Sequence, residues 1–586
     1  MGSMFLGVFV AAAVLGSAQA PSTPKLEVDP FDLAAGPKLE AFEFAGRQVS
    51  REMQALWILY GPCRQSLEEA KLQRVIEKEL ARRAEDRANA RAAERAASQP
   101  SLDAHERARL AAGFRVEELA RLRAEWFAVE PAVDREVART KADFKERAPE
   151  LDASIEMRRS FRTEAAFRSQ LRWAIVFDRA FLAADEAQRP ATTLDALRAR
   201  FGGEYERWKT PWKLADGSID PQYQGVVRQI VRDHLYADEH FVTSFASPGG
   251  VDALVADDPQ GPGTWSVPTV DLWRSIASSV DPAEVDSARE FWRTAVATRA
   301  ALAKEGLALT PKELDDALGA LRGQLQEFVP SLEAYAVQQQ RFPSPESFFE
   351  FYSLICTYQK KHSAILAGST LEKPAQALLD HVPRVNARHG GATFDAEVLL
   401  VSAWDFANAR WKLGGRANAR LRAEELLASL RENERALAAH EASAKEPAEQ
   451  WRVLVDTQSD WWDPPATPGV PMDPTVRTKN KGRFGALDHS NLLEHLELSR
   501  YDLWVRGSAL MDAILFDLAP GTIGGPYPHA YGWCLVRLVN RTPPTHPLDP
   551  RVEGQRGAIE VDFLDESFRR YSCTAVEAAE RTTKPR

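Results

Sequence analysis

Apolar residues recur at helical intervals over most of this chain, and they alternate as strands only near the N-terminus and in the last third. Phe42-Glu43-Phe44 is a short alternating segment that runs into a glycine turn at Gly46, and Ser50 is placed to cap a helix beginning at Arg51. Leu72, Val75, Ile76 and Leu80 then form one apolar stripe. Residues 81–111 are rich in Ala, Arg and Glu, with Gln99-Pro100 as a breaker, and read as solvated helix faces. Helical spacing continues from Val116 to Leu182, where Phe161, Phe167, Leu171, Trp173, Phe177 and Phe181 make an aromatic-rich helix. Such a stripe reads as core before it reads as a ligand box.

Residues 190–245 add more helix before the chain breaks at Ser247-Pro248-Gly249-Gly250 and again at Asp258-Pro259-Gln260-Gly261-Pro262-Gly263. Beyond this linker, Phe291 to Lys304 is an amphipathic helix that Gly306 ends. Thr310 caps the next helix, with Pro311 in its first turn and Glu313 completing a capping box. Phe348, Phe349, Tyr352, Ile355 and Tyr358 echo the earlier aromatic helix, so the pattern predicts two diverged copies of one helical unit.

The last third mixes periods. Residues 396–402 read as a strand, followed by a helix centred on 422–427 and a second helical piece from Trp451 to Leu454. An apolar segment from Ala513 ends at the turn signal Pro520-Gly521. A glycine-rich loop with Pro526 and Pro528 follows, then Gly532 and a strand from Trp533 to Val539. Strand parity puts Cys534, Val536 and Leu538 on one face, and Trp533, Leu535, Arg537 and Val539 on the other. The segment from Gly557 to Glu580 reads as a helix returning to the helical part, with Leu564, Phe568 and Tyr571 on one face.

Composition narrows the function classes. A chain of 586 residues suggests roughly three to four domains. A net charge of −10 argues against nucleic acid as the main partner. Phe5 to Leu15 is apolar and Ala18-Gln19-Ala20 is a small-x-small pattern, so residues 1–20 read as a secretory signal peptide cleaved after Ala20. This predicts export to the periplasm or cell envelope, with membrane contact only peripheral. Cys63, Cys356, Cys534 and Cys573 form no C-x-x-C pair, which excludes a metal knuckle, and their spacing selects no disulfide pairing. There is no G-x-S-x-G, H-E-x-x-H, P-loop or G-x-G-x-x-G. His489 and His495 are spaced wrongly for ligating a metal from one helix face. The expectation is no metal and no small-molecule cofactor.

The order of elements from 396 to 541 resembles a parvulin-type peptidyl-prolyl cis-trans isomerase domain, with the Leu518-x-x-Gly521 turn, the Gly-Pro loop and Gly532-Trp533 in the family's order. The Gly46 turn before the Arg51 helix and the Gly306–Thr310-Pro311-x-Glu313 junction resemble the N-terminal helical domain of SurA-type periplasmic chaperones. Ala45 stands where that family usually has Asn. The resemblance implies an α+β multidomain chain, with a mostly α-helical SurA-N-like region and a C-terminal parvulin-like α+β domain carrying a small antiparallel sheet. The implied boundaries are a signal peptide at 1–20, a linker at 21–40, helical units at 41–246 and 264–385 around a linker at 247–263, the parvulin-like domain at 386–545, and a C-terminal helix and tail at 546–586.

The implied chemistry is rotation of an X-Pro amide. Its barrier is about 18–20 kcal/mol because turning the bond breaks amide resonance. A catalyst needs an apolar slot for the proline ring and a polar cluster that favours the twisted amide. Met511 and Phe516 are implied to line the slot, and Trp533 to bind substrate beside it. The polar cluster departs from the family. Val398 stands where the first-strand histidine is expected, and Cys534 where the second histidine follows the Gly-aromatic pair. Asp460 is the one candidate for the acidic position, and His529 reads as a solvent-facing loop residue. Three functions stay open: an isomerase-type folding factor acting on extended X-Pro-containing chains, a non-catalytic chaperone with a degenerate parvulin site, and a structural helical protein of the cell envelope. The first two share unfolded or extended polypeptides as partners.

Overall fold

The computed structural model describes residues 31, 34, 36–99, 101, 103–147, 163–182, 197, 199–200, 223–243, 252–256, 265–325, 328–329, 331–406, 410–440, 445–460 and 482–583. The chain is α+β and multidomain: helices dominate, and among the described residues four small antiparallel sheets join them. The signal-peptide segment, the linkers around 250 and 260, Phe161, and residues 461–481 lie outside the described residues. No described helix is long and apolar enough to cross a membrane.

Local sequence sets the helix starts. Ser50 accepts from the Met53 N–H at 3.2 Å and opens the Arg51–Tyr60 helix. Thr310 and Glu313 form a reciprocal box, with the Glu313 carboxylate 2.7 Å from the Thr310 N–H. Asp281 and Glu284 do the same ahead of Pro282–Lys304. Each box satisfies main-chain donors that a helix N-terminus would otherwise leave open. Gly306, at φ 74°, turns the chain out of that helix as the Leu307 N–H returns to the Leu302 carbonyl at 3.0 Å.

Among the described residues the helical part has two large cores. One holds the inner ends of the long helices Arg64–Ser98 and Ala104–Phe127, together with Glu164–Phe177 and Gln224–Glu239, around Ile76, Leu122, Trp126, Phe177 and Val231. Along Arg64–Ser98, Ala84, Ala88 and Ala92 form a buried seam, and Arg91 pairs across it with Glu118 at 2.7 Å. The second core gathers Leu56 and Trp57 from Arg51–Tyr60, Phe291 and Trp292 from Pro282–Lys304, Phe348 and Phe351 from Pro345–Ile365, and Phe568 from Glu553–Thr583. Residues 39–70 share one core with 253–358, residues 75–231 lie in the other, and Phe241 packs against both.

The C-terminal part is built on a four-stranded antiparallel sheet ordered Ile523–His529, Gly532–Thr542, Thr393–Ser402, Arg483–Leu487. Cys534 lies opposite Leu400, and Val536 opposite Val398. Gly532 is required where it stands, because a Cβ there would come within 2.2 Å of the Val401 carbonyl oxygen. The stretch with Pro526 and Pro528, read as a loop, is the edge strand Ile523–His529. Its register shifts between Gly524 and Tyr527, so Pro526, which has no N–H, interrupts the ladder only where it is already broken. One sheet face packs on the short helices between 489 and 517, the other on Gly415–Ala438 and Pro447–Gln458. The module is fastened to the helical body. Tyr501 and Trp504 of the Arg500–Val505 helix insert among Phe291, Phe342 and Phe351, and the Glu553–Thr583 helix runs back along Pro282–Lys304.

Candidate functional site

The residues implied to form a proline site divide among three places. Val398 and Cys534 project from neighbouring strands onto one sheet face, both 0% exposed, with Met511 in the same apolar core at 3%. Phe394, Leu400, Leu492, Ile514 and Val536 fill the space around them. Tyr527, directly opposite Cys534 on the edge strand, and Tyr531 pack at the margin of this core. Burial alone pushes the Cys534 thiol well above its ordinary range, so the sulfur is a protonated apolar filler.

Phe516 is half-buried at the margin of that core, at the end of the helical turn Ala513–Asp517. Its ring lies 4.3 Å from the Arg384 guanidinium and lines a cleft of about 390 Å³ with Pro383, Phe394, Leu515 and Pro544. The cleft sits at the Thr393/Thr542 end of the sheet, where those two residues pair, several residues along the strand from Val398.

Asp460 extends the edge of the first strand. Its N–H donates to the Leu400 carbonyl at 2.7 Å, and its carboxylate accepts from the Ser402 N–H at 3.0 Å and from Lys412 Nζ at 3.2 Å. That carboxylate serves a strand edge and a lysine, not the Val398–Cys534 face. Trp533 is on the other face, as strand parity requires. Its indole N–H donates to the Arg416 carbonyl at 3.2 Å, and the Arg420 guanidinium lies 5.1 Å from its ring. The structure therefore joins Val398, Cys534 and Met511, places Phe516 beside them, and separates Asp460 and Trp533.

His529 is not solvent-facing; it is 1% exposed. Nε2 lies 2.8 Å from the Leu496 carbonyl and Nδ1 accepts from the Tyr531 N–H at 3.3 Å, which fixes a neutral ring protonated at Nε2. Burial lowers its pKa to about 4. The segment that it bonds, at Leu496, is remote in sequence. Glu497, the next residue, is raised above the usual carboxylate range by burial, and the hydrogen bond from Tyr531 lowers it only in part.

Another polar cluster carries no local sequence signal. Arg388 donates to Asp562 at 2.9 and 3.0 Å and also to Glu566, while His381 and His389 contact Asp562 at 2.6 and 3.0 Å. His381, Asp562 and Glu566 lie close enough together to hold a metal ion. The Arg388 guanidinium already bonds both carboxylates and supplies the cation there. The cluster clamps Gln376–His389, the helix leading into the first strand, to the C-terminal helix Glu553–Thr583.

No family model and no curated protein matches the chain. Among solved structures it is similar to the peptidylprolyl isomerase PrsA from Bacillus anthracis, at 11% identity and a TM-score of 0.19, over 50% of this chain and 97% of that one. PrsA from Bacillus subtilis matches at 12% identity and a TM-score of 0.15, over 55% of this chain and 90% of that one. A peptidylprolyl isomerase PrsA from Bacillus cereus matches at 11% identity and a TM-score of 0.16, with the same coverages of 55% and 90%.

Proposed function

We propose that this chain is an exported, polypeptide-binding folding factor whose parvulin-like module is a scaffold and not a rotamase. The observation that carries this reading is the complete burial of Val398 and Cys534, the positions implied for the two histidines, among apolar side chains. Accelerating amide rotation requires groups that meet the twisted amide and stabilise its redistributed charge. A valine and a protonated thiol offer none, and Met511 is buried in the same core. Resemblance to the parvulin and SurA-type families supports polypeptides as the partner class.

The test runs two measurements on one preparation. An NMR exchange or protease-coupled assay on X-Pro peptides is expected to show no acceleration over the uncatalysed rate, and measurable acceleration would return the isomerase reading. Light scattering of an unfolded client is expected to show suppressed aggregation. Its absence would leave the structural cell-envelope reading.

A further inference from the structure

The N-terminal hairpin presents a strand edge to a groove that no described residue fills. Phe42–Phe44 pairs antiparallel with Arg47–Val49, with Glu43 opposite Gln48, through a tight turn at Ala45 (φ 53°) and Gly46 (φ 69°). In a two-residue hairpin of this type the residues flanking the turn form the hydrogen-bonded pair, so the next pair does not. The main-chain N–H and C=O of Glu43 therefore point away from the partner strand. Among the described residues nothing pairs with them.

Along this edge runs a groove of about 590 Å³ between Glu40–Phe44 and the side chains of Arg289, Arg293 and Glu580. Its base is apolar: Phe44 is buried under the Arg293 guanidinium, 4.5 Å from the ring, and Phe42 is half-buried. Arg293 is neutralised by Glu580 at 2.8 Å, and Arg289 by Asp286 and Glu40 at 3.6 and 3.9 Å. Glu43 is exposed and makes no ion pair with any described residue, so it is the unbalanced charge of the strand.

We propose that this groove binds an extended polypeptide as a third strand, centred on a lysine or arginine flanked by apolar residues. Main-chain bonds to Glu43 would supply the pairing, as in strand addition to an open sheet edge. The side chain directly opposite Glu43 shares its face, where an opposite charge is favoured and a like charge penalised. The flanking apolar residues share the face of Phe42 and Phe44. The inference rests on the polypeptide-binding reading above and gives it a place outside the parvulin-like module.

The test measures fluorescence anisotropy of three labelled peptides on the full chain: Thr-Val-Lys-Val-Thr, Thr-Val-Glu-Val-Thr, and the lysine peptide N-methylated at its central residue. The lysine peptide is expected to bind roughly three- to fivefold more tightly than the glutamate peptide, the size of a single cross-strand charge pair. N-methylation should remove binding, and Glu43→Lys should invert the charge preference. Circular dichroism verifies that this exposed substitution leaves the fold intact. Equal affinities, or a preference that Glu43→Lys leaves unchanged, would overturn the proposal. If client aggregation is still suppressed in that case, the polypeptide-binding reading survives and only this groove is excluded. If suppression is lost while the lysine peptide binds with the stated preference, the groove stands and the folding-factor reading fails.

Discussion

Val398 and Cys534 lie on adjacent antiparallel strands two residues out of register: Leu400 faces the thiol, Val536 faces the valine, and all four are 0–1% exposed. A diagonal pair of this kind is within reach of long side chains, so two histidines here could meet across one substrate. Valine and cysteine instead finish a dry core.

Placing histidines at both positions is not expected to produce catalysis. Each imidazole would be buried without a partner, at a cost of roughly 1–3 kcal/mol. The double substitution Val398→His with Cys534→His should lower the urea midpoint sharply and leave X-Pro isomerisation at the background rate. A stable, active double variant would mean that the face opens to solvent.

Met511 belongs to the same core, so Met511→Ala should act as a cavity mutation. The expected loss is about 2–5 kcal/mol of stability, with affinity for unfolded polypeptide unchanged in protein that remains folded. A selective loss of affinity at constant stability would instead place a working slot at this residue.

Cys534 should resist thiol reagents for as long as the chain is folded, because it is 0% exposed and burial keeps it protonated. Half-buried Cys356 and Cys573 should react first, and Cys534 only at the rate of unfolding, as peptide mapping of labelled protein would show.

What the chain discloses by itself is what local chemistry decides. The cap at Ser50 and the box at Thr310–Glu313 join residues three apart, and the faces of Cys534 and Trp533 follow from a two-residue period, so both are legible without a structure. The fate of His529 is not. It lies among prolines and glycines that suggest surface, and it is buried with its ring against the Leu496 carbonyl of another element. Asp460 is misleading for a related reason. A carboxylate at a position that the resemblance marks as acidic can equally finish a strand edge, and only its bonds to Ser402 and Lys412 decide between the two. The clamp at Arg388 joins residues far apart in sequence, and no periodicity announces it.

The depressed pKa of His529 predicts acid sensitivity of definite sign. Its folded value is about 4 against an ordinary 6.5. Above about pH 6.5 both folded and unfolded states hold it neutral, and its contribution is complete. As pH falls toward about 4 the unfolded state takes up the proton first, and stability on the order of 3 kcal/mol is lost. His529→Gln can still donate to the Leu496 carbonyl but does not titrate. The gap between wild-type and variant unfolding free energies should therefore change across pH 6.5 to 4, and a pH-independent gap would show that His529 is accessible to protons in the folded state.

Arg388 is buried to 4% side-chain exposure against Asp562 at 10% and Glu566 at 6%. Removing the cation alone strands charge in the interior, and such losses run to about 3–5 kcal/mol. Arg388→Met should thus lower the urea midpoint with the slope unchanged. Adding Asp562→Leu removes the stranded carboxylate, while Glu566 keeps its ion pair with Arg384 at 2.9 Å. The double variant should recover much of the lost stability, because a well-packed apolar pair can replace a buried ion pair at little net cost. Additive losses in this cycle would mean that His381 and His389 need Asp562 as much as Arg388 does, and that the whole polar clamp, not the single ion pair, holds the C-terminal helix to the strand-leading helix.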